Sequence, residues 1–339
     1  MNEQAFLEAL AKFAPAIQKA FIDAIQDISD SAILDQVTAA LEKGDADAAW
    51  RALAYRTSVF NGIVAVLRST FEQGALLMMA TLPKYVRDRE GIKGALRFDI
   101  RDRRAEDWLA NQSSSLITKI DTDIRTSVRT ALTQGLAQGR NPNNVALDIV
   151  GRYDRQTGHR EGGLIGLGER EQLWTQNTRD KLQRLDPSYF EMALRDKRFD
   201  ATVRAAIASG QPLPQETIEK LVNRYKSNAL RFRGETIGRT ETLSSLNRSE
   251  FESTRQALER AGLPPAAATK EWDSTGDDKV RPEHRELDGQ RVPIDQPFVT
   301  SQGVRMLHPG DISLGASGNS VIACRCRVKY KVDFGYGVQ

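Results

Sequence analysis

The chain has 339 residues, with 48 Lys and Arg against 45 Asp and Glu, and it contains two cysteines. The length predicts two or three structural units, and the balance of 40% hydrophobic and 27% charged residues excludes wholesale disorder. Two cysteines cannot form a disulfide framework, which favours a reducing compartment, and the first residues show no signal-peptide pattern.

The net charge of +3 conceals an uneven distribution along the chain. Residues 1–50 carry three Lys and nine acidic residues, a net charge of −6, whereas the rest of the chain carries 45 basic and 36 acidic residues. Residues 195–240 contain ten Lys and Arg against five acids. This basic middle fits contact with an anionic partner such as DNA, and a solvated helical surface is the alternative.

The N-terminal region predicts helices. Apolar residues recur every three or four positions through residues 3–43, with Pro15 expected to kink this helix or start a new one. Gly44 and Asp45 indicate a helix stop followed by an N-cap. Residues 59–82 are apolar but interrupted by polar side chains, which favours a buried helical hairpin over a membrane span. Residues 84–104 predict a loop.

The central region also predicts helices. Residues 113–138 repeat an apolar position every four residues, as in a long amphipathic helix, and Asn141 with Pro142 indicates the start of the next helix. The Gly-rich residues 158–168 match no phosphate-binding motif and are interpreted as a tight connection between helices. Further helices are predicted at residues 169–184, 188–208 and 217–261, the last with an interruption near Gly234.

After Gly262–Pro265 the pattern changes to short strands. A strand around Trp272, a hairpin turn at Asp288-Gly289, a second hairpin at residues 298–307 and a final strand at 321–332 are predicted. The expected fold is mainly α, with a large multi-helix N-terminal body followed by a small α+β module with antiparallel hairpins. We expect domains at residues 1–112, 113–227 and 228–339.

The module concentrates two of the three histidines and both cysteines, and three interpretations are open. Two Cys and two His suit zinc, but two cysteines in a strand lie about 6.6–6.8 Å apart at Cα and favour core packing. A nucleophilic or metal-dependent active site is the second interpretation, although no ordered catalytic motif is present. The third and favoured interpretation is structural, with His284 and Asp288 fixing a loop and Arg281 pairing with Asp277 and Asp278.

The C-terminal region carries an ordered series of motifs: an Arg-Thr-Glu-Thr helix, a Trp, Arg-x-x-His, Asp-Gly-Gln, His-Pro-Gly-Asp and Cys-Arg-Cys. The residues of this series are Arg239, Thr240, Glu241, Trp272, Arg281, His284, Asp288, Gly289, His308, Cys324, Arg325 and Cys326. Over about residues 228–332, the series resembles the Mu F-like head-morphogenesis (minor head) family of tailed phages.

This resemblance implies a minor capsid component of a phage or prophage that associates with the portal protein and other procapsid or scaffold components. It also implies contact with DNA. The residues themselves show no membrane-span pattern and no catalytic signature, so we expect no membrane partner, no cofactor and no enzyme activity. The protein is then expected in the host cytoplasm during assembly and in the virion afterwards, in the capsid interior or at the portal vertex. The alternative is a metal-dependent nucleic-acid-processing enzyme that uses His284, His308, Cys324 and Cys326.

Overall fold

The computed structural model describes residues 1–53, 55–88 and 91–336. The described helices are α1 (Glu3–Ser31), α2 (Leu34–Glu42), α3 (Ala46–Ala52), α4 (Asn61–Met79), α5 (Arg103–Ala137), α6 (Pro142–Val150), α7 (Glu169–Gln183), α8 (Asp200–Ser209), α9 (Gln215–Ala261), α10 (Pro282–Arg285) and α11 (Gly318–Val321). Short 3₁₀ helices lie at Thr57–Phe60, Pro187–Glu191, Lys197–Phe199 and Pro265–Ala267.

The strands are short and pair antiparallel. They are β1 (Tyr85–Asp88), β2 (Gly91–Ala95), β3 (Arg152–Asp154), β4 (His159–Glu161), β5 (Ala268–Asp273), β6 (Arg291–Pro293), β7 (Phe298–Val299), β8 (Arg305–Met306) and β9 (Arg327–Val332). The largest sheet has the order β6-β5-β9, and the other strands form two-stranded hairpins. The predicted mainly α fold with a small C-terminal α+β module is confirmed.

The chain forms two compact units, each assembled from separate stretches of sequence. The C-terminal unit comprises Met1–Gln18, Ile63–Ser113 and Glu235–Gln339, and the central unit comprises Lys19–Gly62 and Ser114–Gly234. The N-terminal region, predicted as one domain, therefore contributes residues to both units. No helix in the described part of the chain is both long and apolar enough to span a membrane.

The core of the C-terminal unit joins residues that are distant in sequence. Phe6 and Phe13 of α1 pack in one apolar cluster with Leu246 of α9 and with Trp272 and Val328 of the sheet. Trp272 faces Val328 across the β5–β9 pair. The first helix of the chain thus forms part of the core of the C-terminal module.

Several predicted elements are confirmed. Helix α5 covers the predicted amphipathic helix, and Asn141 caps α6 by accepting a hydrogen bond from Asn143 N–H. Asp45 caps α3 in the same way, accepting from Ala48 N–H. Strands β7 and β8 form the predicted second hairpin.

In the first half of the chain, the predicted loop at 84–104 contains the hairpin β1–β2. Val86 and Leu96 are buried there against Ala257 and Ala261, so tertiary packing imposes strand structure on a polar, Gly-containing segment. The apolar residues 59–82 contain the single helix α4 (Asn61–Met79) rather than a hairpin of two helices, and α1 continues through Pro15.

The Gly-rich residues 158–168 were predicted to connect helices directly, but they begin with strand β4. Gly158 has φ of 74° and its N–H donates to the carbonyl of Asp154, which closes the β3–β4 hairpin. The helix predicted at residues 188–208 is confirmed only for α8, which begins at Asp200. Short 3₁₀ helices form before it at Pro187–Glu191 and Lys197–Phe199, where Asp186 and Asp196 accept from backbone N–H groups two residues ahead.

Helix α9 passes through Gly234 without the predicted interruption. A single Gly costs a helix only about 1 kcal/mol, and the neighbouring Arg233 is buried in an ion pair with Asp123 in the central unit. The Asp288-Gly289 turn joins α10 to β6 rather than two strands. Gly289 has φ of 75° there, and its N–H donates to the Trp272 carbonyl.

Candidate functional site

One imidazole and two thiols meet in the interior of the C-terminal unit. His284 Nδ1 lies 3.5 Å from Cys324 Sγ and 3.8 Å from Cys326 Sγ. All three side chains are buried, their ligand atoms lie within 4.8 Å of one another, and both cysteines are free thiols. These three side chains form a polar group in an apolar surrounding, which we call the thiol–imidazole cluster.

Two irregular segments bring the cluster together. Pro282 occupies the first turn of α10, which carries His284, and its fixed φ suits that position. On the other side, Ala323 adopts a left-handed conformation with φ of 53°, and Cys326 N–H donates to Cys324 Sγ at 3.5 Å. The chain therefore turns before it enters β9.

The prediction that both cysteines lie in the final strand is wrong, because β9 begins only at Arg327. Apolar and basic residues also alternate in the turn before β9, so the sequence pattern did not distinguish this turn from the strand. The Cα spacing of a strand, which favoured two independently packed thiols, does not apply to this turn. Instead, both sulfur atoms face the same imidazole.

The pKa values of the two thiols are shifted in opposite directions. A hydrogen bond from Cys326, and contact with His284, lower the pKa of the Cys324 thiol well below its usual value despite burial. The same pairing, together with burial, raises the pKa of Cys326. Cys324 is therefore the thiol that ionises first.

Trp272 forms one wall of the thiol–imidazole cluster. Its ring centroid lies 5.2 Å from that of His284 and 5.1 Å from that of Phe298, and both contacts are edge-to-face. Trp272 is fully buried in the same apolar cluster as the two cysteines. The predicted strand around Trp272 is thus confirmed as β5, and it positions the largest side chain of this core.

Polar residues from the motif series hold the turn that precedes β9. Thr240 Oγ1, on α9, accepts a hydrogen bond from Ala323 N–H at 2.9 Å. The Arg281 guanidinium donates to the Ile322 carbonyl. Asn247 Nδ2, also on α9, donates to the Cys326 carbonyl at 3.3 Å. The turn that carries the thiols is therefore fixed from α9 and from the N-terminus of α10.

The two polar pairs predicted in the module do not form, because their residues bond to other partners. Asp277 pairs with Arg325 rather than with Arg281, and this ion pair lowers the pKa of the Asp277 carboxyl. Asp288 accepts a hydrogen bond from Ser274 N–H at 2.7 Å, whereas Nδ1 of His284 faces the thiols. The motif carboxylates thus stabilise turns, as expected, but through different contacts.

His308 lies in a different buried group, outside the thiol–imidazole cluster. Its Nδ1 is 3.1 Å from the carbonyl of Pro309, and its ring packs against Phe251. Burial lowers the pKa of His308 to about 4, although Asp311 opposes this shift. The structure therefore assembles three of the four side chains proposed for a metal-dependent enzyme and separates the fourth.

Near the N-terminal end of the motif series, Arg239 pairs with Glu235 one helical turn away, at 3.9 Å. Glu241 is buried and accepts a hydrogen bond from Gln112 Nε2 at 2.8 Å. Burial raises the pKa of Glu241 to about 7. These residues stabilise α9 and its packing against α5 within the C-terminal unit.

Helix α9 carries a row of buried polar side chains that was not predicted from the sequence. Many of these hydroxyls donate to carbonyls of their own helix, as Ser249 and Ser253 do at 2.8 and 2.7 Å. The available signal was the recurrence of small polar residues at helical spacing. The buried residues of this row are Thr242, Ser244, Ser245, Asn247, Ser249, Ser253, Thr254 and Gln256.

Lys270 was also missed as a buried charge in β5. Its Nζ donates to the Leu307 carbonyl at 2.7 Å and lies over the rings of Phe251 and Phe298. Burial lowers the pKa of Lys270 to about 7. A lysine in an alternating strand is normally expected on the exposed face, so neither residue type nor spacing indicated burial at this position.

In the central unit, several residues of the basic middle are held in ion pairs. Lys226 is buried and lies 3.4 Å from Asp148, and Arg195 is paired with Asp200 at 3.1 Å. Arg233 is buried against Asp123. Part of the basic surplus therefore stabilises the fold of this unit.

Comparison with known proteins identifies one family. Residues 197–329 match the model of a family described as phage Mu protein F like protein. The matched range contains the thiol–imidazole cluster and every residue of the motif series, so the resemblance seen in the sequence is confirmed there. No curated protein and no solved structure matches the chain.

Proposed function

We propose that this chain, whose residues 197–329 belong to the phage Mu protein F-like family, is a minor head protein of a tailed phage or prophage. The family match carries the proposal. In this function the protein associates with the portal protein and with other procapsid or scaffold components during assembly in the host cytoplasm. It then remains in the virion, in the capsid interior or at the portal vertex.

The contacts of the motif residues support a structural function for the module. Thr240 and Arg281 hold the turn at Ile322 and Ala323, and Trp272 fills the core beside it. Thr240 and Arg281 form hydrogen bonds with nearby backbone rather than with a ligand. Such contacts stabilise a surface for other proteins, which is what a minor capsid component requires.

Portal association can be tested in the phage or prophage that encodes the chain. We expect the chain to co-purify with the portal protein after co-expression, and its deletion to reduce the yield of infectious, DNA-filled heads. Complementation with the wild-type chain should restore the yield. A deletion that leaves normal, infectious heads would refute the proposed function.

We further propose that the protein contacts DNA, on the basis of the net charge of +9 in residues 51–339. The measurement is affinity for double-stranded DNA of unrelated sequences over a series of salt concentrations. Phosphate neutralisation predicts a steep, sequence-independent loss of affinity with rising salt. Affinity that does not change with salt, or no binding at low salt, would remove this part of the proposal.

A further inference from the structure

We propose that His284, Cys324 and Cys326 bind a zinc ion. One imidazole nitrogen and two thiolates are ligands that zinc prefers in proteins. The inference concerns the chemistry of the thiol–imidazole cluster and does not depend on the proposed function in head assembly.

The distances within the cluster match a tetrahedral site. For zinc–sulfur bonds near 2.3 Å and zinc–nitrogen bonds near 2.0–2.1 Å, a tetrahedron has nitrogen–sulfur edges of about 3.5 Å. His284 Nδ1 lies 3.5 and 3.8 Å from the sulfur atoms of Cys324 and Cys326. The imidazole nitrogen is therefore at ligand spacing from both sulfur atoms, and all three donor atoms lie within 4.8 Å of one another.

The surroundings of the cluster suit two thiolates bound to a metal. The Cys326 N–H points at Cys324 Sγ, and backbone N–H donors of this kind orient and stabilise zinc-bound thiolates. Two thiolates and a neutral imidazole give a complex with Zn²⁺ that carries no net charge. Such a complex can be buried, as these three side chains are, without leaving an uncompensated ion.

The protein supplies three ligands, and water fills the fourth position. Within residues 1–53, 55–88 and 91–336, no other His, Cys, Asp or Glu ligand atom belongs to this group. Zinc would link the short helix α10 to the turn before β9 in the interior of the C-terminal unit. This link would stabilise the module more than three unlinked polar side chains could.

The first test is metal content and ligand type in the full-length protein, purified from zinc-supplemented cells without chelators or a histidine tag. We expect about one zinc per chain by elemental analysis. Replacement by Co²⁺ should give thiolate-to-cobalt charge-transfer absorption and the visible bands of a tetrahedral site. No bound zinc together with no such absorption, or stoichiometric copper instead of zinc, would overturn the proposal.

The second test uses variants of the ligands. Cys324→Ser and Cys326→Ser should each lose most of the bound zinc, and each cobalt ion that still binds to them should show about half of the wild-type charge-transfer absorption. His308→Gln is the matched control, because His308 is an equally buried histidine outside the cluster and should keep the metal. If a cysteine variant does not fold, the cobalt titration of the wild-type chain still decides the question.

Thiol titration gives an independent readout. In the metal-loaded protein both thiols should react slowly with a thiol reagent, and a strong chelator should accelerate the reaction of both. Two thiols that react identically with and without chelator, or that are found joined as a disulfide, would contradict a zinc site.

Discussion

Glu241 places a carboxyl group in the interior, and the cost of that burial depends on pH. Its pKa is raised to about 7, so between about pH 4.5 and 7 the unfolded chain releases a proton that the folded chain retains. The contribution of Glu241 to stability is therefore full below this window and is lost as pH rises through it. Glu241→Gln should raise the free energy of unfolding at pH 8 by up to ~3 kcal/mol and change it little at pH 4.5.

The measurement is denaturant unfolding of the wild type and the variant across this pH range. The glutamine can still accept the hydrogen bond from Gln112, so packing is retained. Glu235→Gln is the matched control on the same helix, because Glu235 is exposed and should change stability by less than about 0.5 kcal/mol. Equal effects of the Glu241 change at pH 4.5 and pH 8 would show that desolvation of the carboxyl is not the cause.

His308 should contribute to unfolding in acid. Its pKa is lowered to about 4 by burial, with Arg248 and Lys270 adding to the shift and Asp311 opposing it. The unfolded chain takes up a proton near pH 6.5 and the folded chain does so only near pH 4, so stability is lost as pH falls between these values. His308→Gln should reduce the fall in Tm from pH 7 to pH 4.5. An unchanged slope would contradict this account, whatever the absolute Tm.

At the scale of the element, the backbones of α9 and α1 lie close together at Gly238. A methyl group on Gly238 would collide with the carbonyl oxygen of Ala14 and lie 3.2 Å from Gln18 N. Both atoms belong to backbone, which cannot move aside as a flexible side chain can. Gly238→Ala should therefore destabilise the C-terminal unit by about 1–3 kcal/mol, measured by thermal or denaturant unfolding.

Gly62→Ala is the helical control for that substitution. A methyl group there meets only the Cβ of Ala20, at an ordinary contact distance of 3.8 Å. Because Ala has the higher helix propensity, this change should be neutral or stabilising by up to about 1 kcal/mol. If both substitutions behaved alike, close backbone approach at Gly238 would not be the reason for its effect.

The helices were predictable because their apolar periodicity is local information, as in α5 and α9. The β1–β2 hairpin was not, because burial of Val86 and Leu96 against α9 imposes it from a distance. The sequence predicted that polar anchoring residues are concentrated in the module, but it did not indicate which of their side chains contact one another. Cys324 and Cys326 face His284 only because Ala323 is left-handed, and neither sequence spacing nor residue type indicated that conformation.

At the scale of the whole molecule, the compact units are not continuous segments of the sequence. The C-terminal unit uses three separate stretches of chain, and its core includes Phe6, Ala9 and Phe13 from the first helix. The three expected domains, by contrast, are continuous segments. Residues 228–339 can form an independent domain only if their core is stable without the side chains that the rest of the chain contributes.

We expect a fragment of residues 228–339 to fold poorly by itself. Without α1, it exposes the apolar surface that Phe6 and Phe13 cover, and loss of these two buried aromatic side chains costs several kcal/mol at about 3–5 each. Circular dichroism and thermal unfolding of the fragment should show reduced structure and no cooperative transition. The matched comparison is Phe6→Ala in the full chain, which should lower the Tm and retain a cooperative transition. A fragment that unfolds cooperatively with the Tm of the full chain would show that residues 228–339 are an independent domain.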